Sequence, residues 1–276
     1  MIEQLREACR KVLVEGKVDV VIGYGEETPG GAVYPVFVRK ADDVSKLVWN
    51  ERCVSNLTTY LTRKEIKSLG RPAVIVKGCD AKTLVVLEQE SQIDRTQMYS
   101  IGVACSGLGE VKCASCDCHM PKRVDEVVGT VAEAESDASR YAELEALMAK
   151  TPAERWAYWQ EEFSRCIKCY ACRAVCPLCY CNRCLADKNR PSCIDSSTTP
   201  VGNMAWQIMR AFHLAGRCVG CGECTRACPA GINLDLLNKS LALSAEENFH
   251  YRAGTDPETP PVIGSFNTGD KEEFIG

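Results

Sequence analysis

Two runs of cysteine in this chain have the same form: Cys166-x2-Cys169-x2-Cys172-x3-Cys176-Pro177 and Cys218-x2-Cys221-x2-Cys224-x3-Cys228-Pro229. That is the spacing with which a ferredoxin-type loop holds a cubane 4Fe–4S cluster. Three cysteines at three-residue intervals wrap three corners of the cube, and a fourth, placed before a proline, closes the cage from a distant segment. In two-cluster arrangements the fourth cysteine serves the other cluster. This predicts Cys166, Cys169, Cys172 and Cys228 around one centre, and Cys218, Cys221, Cys224 and Cys176 around a second. The chemistry implied is one-electron transfer.

The chain has nineteen cysteines, an odd number, and its first residues do not read as an export signal, so metal ligation is expected over disulfides. So many thiolates fit a reducing, anaerobic cell. Cys79, Cys105, Cys113 and Cys116 form a further set, the last three around the glycine-rich loop Ser106-Gly107-Leu108-Gly109. Four thiolates suit a cubane or a tetrahedral zinc, and beside two ferredoxin runs the cluster is the preferred reading. Cys118 is an alternative to Cys116; Cys118-His119 does not complete a haem-attachment motif. Between the two runs lie Cys179, Cys181, Cys184 and Cys193, which could hold another cluster, hold zinc, or line the neighbouring centres. Cys9 and Cys53 read as small core residues on helices, and His213 and His250 as structural or exposed. Tyr170 and Tyr180 are placed to shield a cluster. Lys168, Arg173, Arg217 and Arg226 lie near loops of net negative charge, where they either raise the potential or solubilise the loop.

The elements that must position these groups follow from periodicity. Residues 1–130 read as an α/β domain with a mixed sheet. A helix is predicted over Glu3–Val14, strands over Val18–Ile22 and Val33–Val38 (an edge strand, because of Pro35), and a helix over about Asn50–Leu69. Ala73–Lys77, a helix from Asp80 to about Glu90, and Tyr99–Ala104 make a βαβ unit with parallel strands. Cys79 and Cys105 then sit past the carboxyl ends of both strands, the edge where open α/β sheets bind ligands. Residues 131–165 read as a helical linker. In it Thr151-Pro152-Ala153-Glu154 opens a helix carrying a Trp156, Trp159 and Phe163 stripe. Residues 166–248 read as a ferredoxin-like α+β domain with a cysteine-rich insert, including a helix opened by Thr199-Pro200. Residues 249–276 read as an extended or disordered tail.

A formal charge of −4 gives no basic field, which disfavours nucleic acid as a partner. No apolar run approaches the roughly 18 residues of a membrane span. The first residues read as an amphipathic helix rather than a signal peptide, so the expected location is the cytoplasm.

With Lys77-Gly78-Cys79-Asp80-Ala81, Cys105-Ser106-Gly107 and Cys113-x2-Cys116 in place, roughly residues 5–130 resemble a known family. It is the beta subunit of coenzyme F-420-reducing hydrogenases and dehydrogenases, including formate dehydrogenase beta subunits. The resemblance implies a 4Fe–4S site at Cys79, Cys105, Cys113 and Cys116, and in many members an FAD that reduces the deazaflavin. The family's glycine pair opens its first helix, whereas Gly30-Gly31 falls between two strands here and reads as a turn. The expected protein is therefore a flavin-free iron–sulfur subunit without a catalytic residue of its own. It would relay single electrons inside a multi-subunit redox complex, with a hydrogenase, a formate dehydrogenase or a heterodisulfide-reductase-like flavoprotein as partner. The alternatives are an FAD-containing subunit acting on F-420 or a nicotinamide, and a zinc-stapled scaffold. Gly23-Tyr24-Gly25 lacks the third glycine of a dinucleotide fingerprint.

Overall fold

The structure, a computed structural model, describes residues 1–133, 140–188, 191, 193–265 and 268–269. The chain forms two compact units, Met1–Ala138 and Ser139–Gly276.

The first unit is a five-stranded mixed sheet. Helix α1 (Ile2–Val14) buries Leu5, Ala8, Cys9 and Val12 at helical spacing. Strand β1 (Val20–Glu26) turns back into β2 (Val33–Val38), antiparallel, with Val21 opposite Val38 and Glu26 opposite Val33. Pro35 is accommodated because β2 is the outer strand of the order β2-β1-β3-β4-β5. Gly30 has φ +80° in the connecting turn, so the glycine pair does serve the reversal.

The helix expected over Asn50–Leu69 does not form as one element. A 3-10 turn at Leu57–Tyr60 and a single turn, α2 (Lys64–Lys67), replace it. Asn50 Oδ1 accepts from Arg52 N–H and Asn56 Oδ1 from Thr58 N–H. These local bonds offer the backbone an alternative to the helix. Leu57, Leu61 and Ile66 are nonetheless buried, so the apolar spacing tracked burial while the helical reading failed.

The βαβ unit forms as predicted. Strand β3 (Pro72–Val76) is followed by α3 (Gly78–Gln89) and β4 (Tyr99–Val103), and the strands pair in parallel with Ile75 opposite Ile101. All but the first residue of each strand is buried, as suits strands covered on both faces. Strand β5 (Glu126–Val128) pairs parallel with β4 and was missed, being three residues long and beginning with a charge.

The second unit contains α4 (Ala142–Met148), α5 (Pro152–Ser164), α6 (Ala171–Val175), α7 (Pro200–Phe212), α8 (Glu223–Arg226) and α9 (Leu234–Phe249). The predicted capping box is present: Thr151 Oγ1 accepts from Glu154 N–H, and Glu154 Oε2 accepts from Thr151 N–H at 2.8 Å. Of the aromatic stripe, Phe163 is buried and stacks on Trp159, whereas Trp156 is exposed. Leu144 and Leu147 of α4 pack with Leu236 of α9, joined by Tyr158 and Trp159, so the stretch read as a linker is packed within this unit. No strand occurs among the described residues of the second unit, where the sequence suggested an α+β module. Each cysteine run enters a loop and a one-turn helix, and its amides close turns, as in Cys228 N–H to the Thr225 carbonyl. At the head of the predicted tail, Tyr251 and Ala253 are buried. Among the described residues no helix is long and apolar enough to cross a membrane.

Candidate metal centres

Helix α3 starts directly at the carboxyl end of β3, so Cys79 stands in its first turn at the sheet edge. Lys77 is the N-cap, and Asp80 Oδ2 accepts its backbone N–H at 3.1 Å. Asp80 is therefore the third helical residue, not the cap. Cys105 follows β4 by two positions, and Cys113 and Cys116 lie on and just after a 3-10 turn at Val111–Ser115. All four thiols line one cavity. They are within electrostatic reach of each other: Cys116 acts on Cys79, and Cys113 and Cys116 act on Cys105. Leu108 N–H points at Cys113 Sγ, 3.4 Å away.

Cys118 lines the same cavity but is tied elsewhere, its thiol donating to the Met120 carbonyl at 3.3 Å. Its backbone lies on α3 so closely that a Cβ at Gly78 would stand 2.0 Å from the Cys118 carbonyl oxygen. A glycine is required there for the chain to pass.

Beneath the cavity is a buried cation. Lys77 Nζ contacts Asp80 Oδ2 at 2.7 Å and donates to Tyr24 Oη at 2.5 Å and to the Ser55 carbonyl at 2.9 Å. Burial alone would discharge this ammonium, but Asp80, Tyr24 and Cys79 hold its pKa well above the ordinary range. Burial pushes the Cys79 and Cys105 thiols up, and Asp80 raises Cys79 further; Lys112 and Lys77 pull Cys79 back, and the Gly107 amide and Lys77 pull Cys105 back. The Lys77 charge is matched by Asp80, so it is the four cysteines lining one cavity that suit a metal–sulfur group.

In the second unit the structure mixes the two runs. The thiols acting on Cys172 are Cys166, Cys228 and Cys169. Those acting on Cys218 and Cys224 include Cys176, together with Cys221 on Cys224. The cysteine before each proline is thus within electrostatic reach of thiols of the other run. Cys172, Cys224, Trp206, Ile232 and Leu234 form one buried core, against which Cys166 and Cys228 pack. Burial raises the Cys172, Cys218 and Cys224 thiols. Iron ligation would have to offset that, as metal binding does by displacing the proton.

Helix α7 supplies the residues that sequence reasoning missed. Its buried face carries Asn203, Trp206, Gln207 and Arg210. Asn203 Nδ2 donates to the Cys166 carbonyl at 2.7 Å, Gln207 Nε2 lies 3.4 Å from Cys166 Sγ, and Arg210 Nη2 donates to the Cys172 carbonyl at 3.0 Å. On α9, Asn238 Nδ2 lies 3.6 Å from Cys224 Sγ. Asn203 Oδ1, Gln207 Oε1, Asn238 Oδ1 and Arg210 Nε are buried without a hydrogen-bond partner. A polar face at i, i+4, i+7 beside the cysteine runs was the available signal.

The cations singled out from the sequence bond to backbone carbonyls, a tyrosine hydroxyl and a carboxylate. Lys168 Nζ donates to the Gly202 carbonyl, Arg173 to the Cys181 carbonyl, Arg217 to the His213 carbonyl and Tyr180 Oη, and Arg226 pairs with Glu223. Tyr170 is exposed and meets Trp206 edge-on; Trp206 is the buried aromatic.

Cys179, Cys181, Cys184 and Cys193 do not share one environment. Cys179 shares a hydrogen bond with Cys176 and is also bonded to Arg210, which lowers its pKa. Cys184 packs against the Cys172 and Trp206 core, while Cys181 and Cys193 are exposed. Cys9 is buried on α1 as expected; Cys53 is buried but lies in a loop, with its thiol 3.7 Å from the Val48 carbonyl. His213 and His250 are the C-caps of α7 and α9. Among the described residues no group of three or more His, Cys, Asp or Glu side chains is drawn together around a single ion's position.

A family described as a 4Fe-4S dicluster domain matches residues 165–233. The chain is 34% identical over 105 residues to the F420-dependent formate dehydrogenase subunit beta of Methanocaldococcus jannaschii, a stretch covering 38% of this chain and 27% of that protein. It is 22% identical to the F420-dependent formate dehydrogenase 1 subunit beta of Methanococcus maripaludis, over an alignment of 354 positions that covers 92% of this chain and 90% of that one. The matched stretch thus spans about a quarter of the first relative's length and most of the second's. The chain is similar to formate dehydrogenase beta subunits and carries a 4Fe–4S dicluster domain, so iron–sulfur clusters are its cofactor.

Proposed function

We propose that this protein is the iron–sulfur relay subunit of a multi-subunit oxidoreductase, passing single electrons between a partner's redox centre and an acceptor. The observation that carries the reading is the mixing of the two cysteine runs. Cys228 stands with Cys166, Cys169 and Cys172, and Cys176 with Cys218, Cys221 and Cys224. These are the ligand sets of two 4Fe–4S clusters held by one module. Cys79, Cys105, Cys113 and Cys116 are the ligands of a third, in the cavity at the sheet edge. A 4Fe–4S cluster, when bound, supplies one-electron storage and transfer.

The chain's own residues bind, shield and tune. Cysteine thiolates ligate; Trp206, Ile232 and Leu234 exclude water from the paired sets. Gln207 and Asn238 present N–H groups to ligand sulfurs, which raises reduction potential by stabilising the more negative state. Asp235, whose charge acts on Cys218 and Cys224, does the opposite at the second set. The two centres therefore differ in potential, which gives the relay a direction. No side chain is required as acid, base or nucleophile.

A second reading is an FAD-containing subunit that reduces F-420, favoured by the similarity to two F420-dependent formate dehydrogenase beta subunits. A zinc ion at the sheet-edge cavity is the further variant. The experiment is the spectrum and metal content of anaerobically purified protein after denaturation. The relay reading expects the broad visible band of clusters before denaturation, no released flavin and no zinc. Stoichiometric flavin would replace it with the second reading, and zinc with loss of about four irons would convert the sheet-edge site.

A further inference from the structure

Arg210 is 4% exposed and lies on the buried face of α7. Its Nη2 donates to the Cys172 carbonyl at 3.0 Å, while its Nε is buried with no hydrogen-bond partner. The charges that act on it are those of Cys176, Cys179, Cys172 and Cys224. Cys172 belongs to one ligand set, and Cys176 and Cys224 to the other. Cys172, whose carbonyl Arg210 holds, and Cys224 share one buried core with Trp206 of the same helix, so a single guanidinium lies close to both sets.

A buried cation is costly unless opposing charge compensates it. Here the compensating groups are thiols of metal-ligand type, not a carboxylate. Guanidinium is the fitting cation for such a place, because it is weakly hydrated and charged at every accessible pH. The other cations singled out beside the runs are engaged elsewhere: Lys168 with the Gly202 carbonyl, Arg173 with the Cys181 carbonyl, Arg217 with the His213 and Leu178 carbonyls and Arg226 with Glu223.

We propose that Arg210 sets the reduction potentials of both clusters of the dicluster module, acting as one shared positive charge held between the two ligand sets. The inference rests on the relay reading above. Each electron, taken from an external reductant, adds one negative charge to a cluster that four thiolates already make anionic. Arg210 stabilises that added charge on either side, so both clusters are easier to reduce. It is a charge and not a ligand, and its hydrogen bond to the Cys172 carbonyl holds it on the cluster loop.

The test is a dithionite titration of the full chain, followed by electron paramagnetic resonance, on wild type, Arg210→Met, Arg210→Lys and the exposed control Lys150→Gln. Arg210→Met is expected to disfavour reduction of both dicluster signals at least tenfold, which is about 59 mV for a one-electron couple. Arg210→Lys keeps the charge and is expected to hold most of the wild-type potential, and Lys150→Gln all of it. A shift in neither signal, in only one signal, or of equal size in Arg210→Lys overturns the proposal. So does iron loss in both Arg210 variants, which would make the residue a structural post. A wild-type chain showing no dicluster signals at all would instead overturn the relay reading beneath the proposal.

Discussion

Tyr170 and Gly222 occupy the same place in the two cysteine runs and share the left-handed backbone, with φ +61° and +68°. Lys168 and Gly220 match likewise, at +52° and +68°. The two loops therefore have one shape, relaxed by glycine in the second run and imposed on side-chain-bearing residues in the first. Such a residue costs about 1 kcal/mol or more. Tyr170 recovers part of this by its edge contact with Trp206, with centroids 5.3 Å apart. Tyr170→Gly should therefore be more stable than Tyr170→Ala by about 1 kcal/mol, although it removes more of the side chain. Gly220→Ala, whose added Cβ meets nothing within 4 Å, should cost about 1 kcal/mol through backbone strain alone. Thermal melts of the cluster-loaded chain check the order.

Asp235 is buried, acts on Cys218 and Cys224, and is paired with Lys239 at 3.0 Å. Asp235→Asn removes a negative charge beside the second set only. Its midpoint should rise by tens of millivolts while the first set stays in place, as followed by potentiometric titration. Equal movement of both signals would contradict this division of the two environments.

The close approach of Gly78 to the Cys118 carbonyl separates packing from ligation at the sheet edge. Gly78→Ala should displace the segment from Cys113 to Cys118 and lose about four irons per chain, whereas Cys118→Ala should keep them. Iron analysis decides between Cys116 and Cys118 as the ligand: loss of iron in Cys118→Ala would favour Cys118.

Cys9 has a thiol pKa pushed up to about 12, by burial first and then by Glu126. A thiol raised above its ordinary value of 9.0 stabilises the fold fully below that value, and the contribution is lost as pH rises through the folded pKa. Between pH 9 and 12, stability should fall by about 1.4 kcal/mol per pH unit from this group alone. Cys9→Ala should flatten that alkaline slope in a denaturant series, at a small cost at neutral pH. An unchanged slope would assign the alkaline loss to other groups.

The sites were legible where ligation itself dictates residue type and spacing. The spacing from Cys166 to Cys176 and from Cys218 to Cys228 pointed to the dicluster domain that the chain matches, and a βαβ unit had to put Cys79 and Cys105 on one sheet edge. Arg210, Asn203 and Gln207 were not, since a helix face that serves a buried site has the same polarity pattern as one facing water. The stretch from Asn50 to Leu69 misled because Leu57 and Leu61 are buried one helical turn apart, while Ile66 falls on the opposite face and Asn50 and Asn56 divert the backbone into turns. Strand β5 was too short to carry a period, and among the described residues the second unit has one-turn helices at the cysteine runs where strands were expected.

The most direct test of the account exchanges one ligand before each proline. Cys228→Ser and Cys176→Ser, each purified anaerobically, are examined by iron and sulfide content and by electron paramagnetic resonance. The wild type should carry about twelve irons, and each variant should lose about four or convert one cluster to a three-iron form. Cys228→Ser should alter the signal governed by Cys166, Cys169 and Cys172, and Cys176→Ser the one that Asp235→Asn shifts. If Cys228→Ser instead alters the signal that Asp235→Asn shifts, the two runs are not crossed and the account fails.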